Sequence, residues 1–247
     1  MYRRNFLYIS EENQEKIKNF RIFIGGCGLG SVIAECALRL GFENLTVIDG
    51  DKVELSNLNR QNYTRKDIGR FKVEALKERL LEINPCANII STAQFLTKEN
   101  IAKYIKVNYD LAINTIDFTS DIPFLFDEMC CEVNIPVLHP LNLGWGASVI
   151  VINDKSRKLR ELHQSFDGFE IHMAQHILKE LELKALTPDY LNKIIKKYTE
   201  VKNEVESPPQ LSVGSFLVAS MCTRLMYNLC IGKGVNTFPE VYFQAIE

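Results

Sequence analysis

The chain has 247 residues, of which 46% are hydrophobic and 24% are charged. These are average values for a globular protein, so disorder, collagen and a coiled coil are excluded. The 29 basic and 31 acidic residues give a net charge of -2, which offers no bulk attraction to nucleic acid or to anionic lipid. At about 150 residues per domain, this length predicts one large domain, or one domain with an insertion.

The cysteines and the apolar runs indicate where the protein works. The seven cysteines are odd in number and lack the even spacing of a secreted disulfide framework, so we expect reduced thiols and a cytoplasmic location. Glu11 and Glu12 follow the first residues before a long apolar run can develop, so no signal peptide is expected. No apolar stretch approaches the ~18 residues of a membrane span, and no membrane partner is expected.

The first predicted elements form a β-α-β unit. Residues 21–24 are a short apolar run typical of a strand, a glycine-rich turn follows at 25–31, and residues 32–40 have the apolar spacing of a helix. Residues 45–48, which end at Asp49, predict the second strand.

Further along the chain, predicted strands alternate with predicted helices. Strands are expected at 88–93, 109–114, 135–138 and 147–152, and helices at 70–83 and 121–133. This order predicts an α/β fold, a doubly wound and mostly parallel Rossmann-like sheet with helices on both faces.

The composition changes after residue 154. Residues 155–206 are dense in Lys, Arg and Glu, with Ile, Leu and Tyr at helical intervals, which predicts a helical insertion of two or three helices. The prolines after Ser207 end the insertion, and a long apolar helix at 211–231 and a closing strand at 240–246 follow. The expected organisation of the single domain 1–247 is a nucleotide-binding part at 1–154, an insertion at 155–210, and a closing helix and strand at 211–247.

The glycine-rich turn is a candidate phosphate site. Glycines between a strand and a helix let the backbone approach phosphate oxygens, and Gly28 and Gly30 are the candidates. The full G-x-G-x-x-G fingerprint is absent, because Cys27 occupies the place of its middle glycine; the turn could also serve only tight packing. Asp49 lies at the offset at which a carboxylate grips a ribose hydroxyl, and its alternative is a plain turn aspartate.

A polar cluster follows this unit and argues against a nicotinamide dehydrogenase. Arg60 and Lys72 could neutralise a triphosphate, Arg as a planar fork and Lys as a point charge. A solvated helix face is the alternative for either cation considered alone.

Taken together, the motifs G-C-G-L-G-S (26–31), D-G-D (49–51), S-N-L-N-R-Q (56–61), D-I-G-x-x-K (67–72) and N-P (84–85), with the later Asp117, resemble the HesA/MoeB/ThiF family. This is the adenylating fold shared with ubiquitin-activating enzymes. The resemblance runs from Tyr2 to the end of the chain. It implies that ATP and a C-terminal carboxylate become an acyl-adenylate and pyrophosphate, with Mg²⁺.

The resemblance also implies roles for individual residues. It implies that Gly28 lies against the phosphates, Asp49 holds the ribose and Asp117 anchors Mg²⁺. It further implies that Arg4 reaches into the site of a partner subunit. It implies that Ser56, Asn57 and Arg60 contact the phosphate side and that Lys72 contacts the triphosphate.

The chain departs from the family pattern in four places. Asn114 and Phe118 replace the first Asp and the final Asn of the D-x-x-D-N motif that many relatives carry around Asp117. No paired C-x-x-C motifs are present, so no structural zinc is predicted. Residues 140–221 contain no cysteine that could form a thioester, and Cys130 and Cys131 are expected in the core.

Two further features could have a functional role or a purely structural one. His172 and His176 lie four residues apart near His163, but the Glu of H-E-x-x-H is absent, so surface histidines are expected rather than a metal site. Trp145, between two glycines, could form the floor of the groove that receives the carboxylate, or could pack in the core.

The sequence therefore predicts an ATP-dependent adenylyltransferase that works as a homodimer. Its substrate would be the C-terminal carboxylate of a small ubiquitin-like sulfur-carrier protein or a peptide. Two alternatives stay open: an NAD(P)- or FAD-binding oxidoreductase, which shares the glycine turn and Asp49, and a catalytically silent nucleotide-binding scaffold.

Overall fold

The computed structural model describes residues 1–105, 108–201 and 208–246. Its centre is a seven-stranded sheet in the order β3-β2-β1-β4-β5-β6-β7. The strands are β1 (Arg21–Gly25), β2 (Asn44–Ile48), β3 (Asn88–Thr92), β4 (Leu111–Asn114), β5 (Val137–Leu143), β6 (Gly146–Ile152) and β7 (Tyr242–Ala245). Strands β1 to β5 pair in parallel, and β6 and β7 are antiparallel to their neighbours. The predicted α/β, mostly parallel sheet is confirmed.

Helices cover both faces of this sheet. They are α1 (Glu11–Asn19), α2 (Leu29–Leu40), α3 (Lys72–Ile83), α4 (Ile101–Ile105), α5 (Ile122–Glu132), α6 (Phe169–Leu183), α7 (Asp189–Val201) and α8 (Ser212–Cys230). Because side chains alternate along a strand, Ile22 and Ile24 of β1 enter one apolar core with α2, α3 and α8. Phe23 enters the other core with α5 and α6. The side chains of Ile22, Phe23 and Ile24 are completely buried.

The first part of the structure differs from the predicted elements at α1, α4 and β5. Helix α1 was not expected, because Ile17 is its one buried residue and the helix lacks an apolar stripe. The short helix α4 was also missed. Strand β5 was expected to stop at 138, because Pro140 and Asn142 interrupt the apolar run, but it continues to Leu143 and forms an antiparallel hairpin with β6.

The later part of the chain follows the sequence expectation more closely. The insertion supplies two helices, α6 and α7, and residues 202–207, which include the predicted end at Ser207, lie outside the described residues. Strand β7 is shorter than the predicted 240–246. Trp145 lies in the turn between β5 and β6 and is 57% exposed, so the alternative that it packs in the core is wrong. Of the helices in the described ranges, none is long and apolar enough to cross a bilayer.

Candidate functional site

The candidate residues meet where the sheet order reverses. Strand β1 lies between β2 and β4, so the chain crosses over at this point and a crevice forms beyond the carboxyl ends of these strands. The glycine turn follows β1, Asp49 follows β2, and Asp117 lies three residues after β4. Parallel strands bring the three loops to one edge of the sheet.

Asp49 fixes the shape of the glycine turn. Its Oδ2 accepts a hydrogen bond from the Cys27 amide at 2.6 Å, and its Oδ1 accepts one from the Asp51 amide at 2.7 Å. Burial raises the pKa of this carboxyl, while the two backbone donors and Lys72 act in the opposite direction. Across the sheet, the Thr115 hydroxyl bonds the Gly25 and Gly26 carbonyl oxygens at 2.9 and 2.8 Å. The turn is therefore held from both neighbouring strands.

The two candidate glycines have different surroundings. Gly28 is the N-cap of α2 and has no side-chain cap, so the first-turn amides of α2 are not closed off by a capping side chain. A Cβ on Gly28 would lie 3.1 Å from Nε2 of Gln61, a flexible end. A Cβ on Gly30 would lie 2.9 Å from Cγ2 of Ile24 in the core. Gly30 thus lets α2 approach β1, and its predicted contact with a nucleotide stays a prediction.

Lys72 is the first residue of α3 and is buried. Its Nζ lies 2.9 Å from Oδ2 of Asp51, and its backbone amide bonds the Asp51 carbonyl oxygen at 2.9 Å. A buried ammonium is stable only when it is paired, and Asp51 supplies the pair. The Asp51 side chain is itself half exposed, at 49%, so the pair faces the solvent side of the crevice.

Arg60 is held by three acceptors. Its Nη1 donates to the Ser56 carbonyl oxygen at 3.0 Å and to Asn59 Oδ1 at 2.9 Å, and its Nε donates to Gln210 Oε1 at 2.9 Å. Gln210 lies just before α8, at the end of the insertion. The guanidinium is therefore oriented from two distant parts of the chain.

Asn57 and Ser56 support this segment. Residues Leu55–Asn59 form a short 3-10 helix, in which Asn57 Oδ1 accepts from the Glu54 amide at 3.0 Å. Asn57 is buried, so its side chain closes the helix start. The Ser56 hydroxyl is exposed and contacts Glu54 Oε2 at 3.4 Å. Their predicted phosphate contacts stay predictions.

Asp117 is an accessible carboxylate of the crevice. Its side chain reaches solvent, but the surrounding protein removes enough water to raise the pKa of its carboxyl. Lys72 and Arg60 oppose this rise, whereas Asp51 and Asp49 add to it. The charges of Lys72, Arg60 and Asp49, which the sequence singled out, therefore all act on the Asp117 carboxyl.

Arg4 lies apart from this cluster. It is exposed in the 3-10 turn Arg3–Asn5. Asn5 Nδ2 donates to the Leu40 carbonyl oxygen at 2.9 Å, and the Tyr2 hydroxyl donates to the Leu38 carbonyl oxygen at 3.1 Å. These contacts fix the segment at the carboxyl end of α2, whereas the glycine turn lies at its amino end. Arg4 does not join the site of its own chain.

The site can be tested for its fit to Mg²⁺. Within the described ranges, no three His, Cys, Asp or Glu side chains are grouped as a metal site. Mg²⁺ needs only one or two carboxylates, because it takes its other ligands from water and phosphate. The accessible carboxylate of Asp117 beside a phosphate site fits that requirement.

The histidines and cysteines lie elsewhere. His163 and His172 stack at 3.9 Å between ring centroids, whereas His176 Nε2 contacts the Pro239 carbonyl oxygen at 2.8 Å. His172 and His176 therefore face different neighbours. Cys130 is buried in the core as expected, and burial raises the pKa of the half-buried Cys131 to about 11, so neither is a ready nucleophile.

Sequence reasoning missed three residues that shape the site. Asp51 lies in the D-G-D motif, and that motif was the signal from which its role could have been predicted. Thr115 and Gln210 gave no signal, since their partners are distant in the sequence.

A comparison with protein families decides the classification. The sequence model of the ThiF family matches residues 2–244. The chain belongs to the ThiF family. This confirms the resemblance drawn from the motifs.

Curated ThiF relatives are similar over part of their length. The tRNA threonylcarbamoyladenosine dehydratase of Bacillus subtilis is 31% identical over 142 residues, which are 57% of this chain and 56% of that protein. A probable molybdopterin-synthase adenylyltransferase of Porphyra purpurea is 34% identical over 163 residues, covering 64% of this chain and 42% of that protein. The matches thus span about half of these relatives.

Solved structures share the fold. Escherichia coli MccB with ATP superposes with a TM-score of 0.67 at 17% identity, covering 94% of this chain and 66% of that one. PaaA gives a TM-score of 0.67 at 20% identity, covering 95% and 63%. At these identities the likeness concerns the fold alone.

Proposed function

We propose that this ThiF-family chain is an ATP-dependent adenylyltransferase. It would activate the C-terminal carboxylate of a small ubiquitin-like sulfur-carrier protein or a peptide as an acyl-adenylate. The observation that carries the proposal is the convergence of Lys72, Arg60 and Asp117 on one crevice beside the uncapped amino end of α2. An anionic tail with a bound cation matches that charge arrangement.

The reaction needs positioning more than a base. A carboxylate oxygen of the substrate attacks the α-phosphorus of ATP, the bond from that phosphorus to the bridging oxygen breaks, and pyrophosphate leaves with its electron pair. The substrate carboxylate is already ionised at neutral pH, so no side chain has to remove a proton. Lys72 and Arg60 would stabilise the growing negative charge on the phosphate oxygens.

Gly28 and Asp49 would prepare the nucleotide site. The amides at the start of α2 would receive phosphate oxygens, and Asp49 would face the ribose while it holds the turn. Asp117 would hold Mg²⁺, which supplies charge neutralisation at the phosphates when it is bound. Ser56 and Asn57 would complete the phosphate side of the crevice.

The protein would act as a homodimer in the cytoplasm. Arg4 is exposed, and its segment packs at the carboxyl end of α2, whereas the site of its own chain lies at the amino end. A second copy would bring this guanidinium to the phosphates, as the sequence resemblance implies. Seven free cysteines, of which three are buried, suit a reducing compartment.

The acyl product would leave without a thioester to the enzyme. Residues 140–221 contain no cysteine, and Cys130 and Cys131 lie away from the crevice in the second core. An external nucleophile would therefore take the activated carboxylate. The adenylyltransferase relatives and the structure of MccB with MccA support a protein or peptide substrate.

Three other functions have weaker support. The dehydratase relatives favour a modified tRNA nucleoside as substrate, but the net charge of -2 offers tRNA no bulk attraction. An oxidoreductase has no use for the Lys72 and Arg60 cluster. A silent scaffold would bind ATP without turnover.

An ATP–pyrophosphate exchange assay tests the proposal. The protein is incubated with Mg²⁺, ATP, labelled pyrophosphate and either a carrier protein ending in Gly-Gly or a short peptide. Exchange should depend on the carboxylate substrate and should be lost in Asp117→Ala. Wild-type exchange no faster than that of Asp117→Ala, with every substrate offered, would reject the proposal.

A further inference from the structure

A buried polar cluster lies directly behind Asp117. It consists of Asn114 at the end of β4, Asp127 on α5 and His139 on β5, which are exposed by 0%, 5% and 5%. None of these three residues belongs to the nucleotide site described above. Buried charged groups are retained only with partners, so the contacts within the cluster define what it does.

The first arm of the cluster reaches the backbone before Asp117. Asn114 Nδ2 donates to Asp127 Oδ1 at 2.8 Å and to the Pro123 carbonyl oxygen at 2.9 Å. The same carboxamide accepts the Ile116 amide on its Oδ1 at 3.2 Å. Asn114 therefore fixes the residue immediately before Asp117, and Asp127 fixes the rotamer of Asn114.

The second arm reaches the residue after Asp117. His139 Nε2 lies 3.2 Å from Asp127 Oδ2, within ion-pair distance, and both atoms are buried without a hydrogen-bond partner in the part of the chain that is described. The His139 ring stacks on Phe118 with centroids 5.6 Å apart and planes 17° apart. Phe118 also packs on Phe124 and Phe169 at 5.2 and 4.2 Å between centroids.

We infer that Asp127 is a positioning residue for Asp117, because one carboxylate ties both arms of the loop that presents it. Its Oδ1 acts through Asn114 on Ile116, and its Oδ2 acts through His139 on Phe118. Asp127 touches neither nucleotide nor metal in this account. Of the two positions that depart from the family motif, Asn114 belongs to the cluster and Phe118 stacks on its histidine.

The inference rests on the proposed function, since Asp117 is the group being positioned. Its test combines pyrophosphate exchange with hydrogen–deuterium exchange of the segment 115–121, which needs no activity. The main variant is Asp127→Asn. It keeps the volume but replaces one carboxylate oxygen with an NH2 group and removes the negative charge, so the oxygen that can accept from Asn114 remains while the carboxylate facing His139 is lost.

A matched control is Asp110→Asn, which lies just before the other end of β4. Asp110 also accepts hydrogen bonds on both oxygens: Oδ2 accepts from the Arg21 amide at 2.8 Å and from Arg21 Nε at 3.2 Å, and Oδ1 accepts from Arg21 Nη2 at 3.3 Å. A second variant, His139→Gln, keeps a donor for Asp127 but removes the ring that stacks on Phe118. It tests the second arm alone if Asp127→Asn folds poorly.

The expected result for Asp127→Asn is faster deuterium uptake in 115–121 and a kcat lower by about 10–100-fold, with little change in the KM for ATP. His139→Gln should show the same pattern to a smaller extent, and Asp110→Asn should match the wild type in both readouts. Unchanged uptake in 115–121, or a raised KM with unchanged kcat, would overturn the inference. Wild-type protein without any exchange would reject the proposed function, while the deuterium comparison would still decide the positioning.

Discussion

Nζ of Lys72 lies 2.9 Å from Oδ2 of Asp51, at the point where α3 begins beside the glycine turn. The lysine is buried, and its carboxylate partner is half exposed. Packing thus fixes the ammonium in place before a nucleotide arrives, which is how a protein prepares charge for a transition state at low reorganisation cost.

Replacing Lys72 should therefore affect turnover strongly. Lys72→Ala should lower kcat/KM for ATP by roughly 100-fold, the size expected when one preorganised donor to transition-state charge is removed. Lys77→Ala, on the same helix, is the control and should stay near the wild type. Steady-state pyrophosphate exchange measures both, and equal kinetics for the two variants would exclude Lys72 from the site.

The two glycines of the turn should separate binding from stability. In Gly30→Ala, the new methyl meets Ile24 Cγ2 at 2.9 Å, so overpacking should destabilise the fold by about 1–3 kcal/mol. In Gly28→Ala, the methyl meets only the flexible end of Gln61, so overpacking should cost less stability than in Gly30→Ala, while ATP binding weakens. Thermal unfolding and ATP titration check the pair. Full ATP affinity in Gly28→Ala would argue against a phosphate at this turn.

The raised pKa of Asp117 predicts a pH-dependent cost in stability. Because the folded pKa lies above the unfolded value of about 3.9, the folded state favours the protonated acid. The stability that Asp117 contributes in its protonated form is fully present below the unfolded pKa. It is lost as the pH rises through the folded pKa. Asp117→Asn should therefore unfold at a higher temperature than the wild type at pH 7, and the difference should vanish at acid pH. A variant less stable than the wild type at pH 7 would contradict this assignment.

The bond from Arg60 to Gln210 predicts a moderate effect on ATP use. Gln210→Ala removes one of three acceptors that orient the guanidinium, and one such hydrogen bond contributes about 0.5–1.5 kcal/mol. The KM for ATP should rise by roughly 2–10-fold, with kcat changed less. Pro209→Ala, at the neighbouring position, should have no such effect. An unchanged KM in Gln210→Ala would mean that Arg60 orients without this contact.

The local part of the site was accessible from sequence, and the distant part was not. The strand, glycine turn and helix around Gly28 follow from apolar spacing and backbone chemistry over a few residues, and the structure has them there. The contact of Arg60 with Gln210 joins residues 150 positions apart, so no local pattern could indicate it.

The buried cluster behind Asp117 was also outside the reach of a sequence pattern. Asp127 resembles a surface acid on a helix until α5 packs beside β4 and β5 and buries it with His139. At position 114 itself, the chain has an amide where many relatives have the first carboxylate of the motif. The fold supplies a carboxylate from another element at 2.8 Å from the Asn114 amide.

The central claim is that the phosphates of ATP lie between Lys72, Arg60 and Asp117. A crystal structure with Mg²⁺ and a non-hydrolysable ATP analogue tests it most directly. The account predicts phosphate oxygens within hydrogen-bond distance of the Lys72 ammonium and the Arg60 guanidinium, with the metal next to the Asp117 carboxylate. A triphosphate bound away from these three side chains would contradict it.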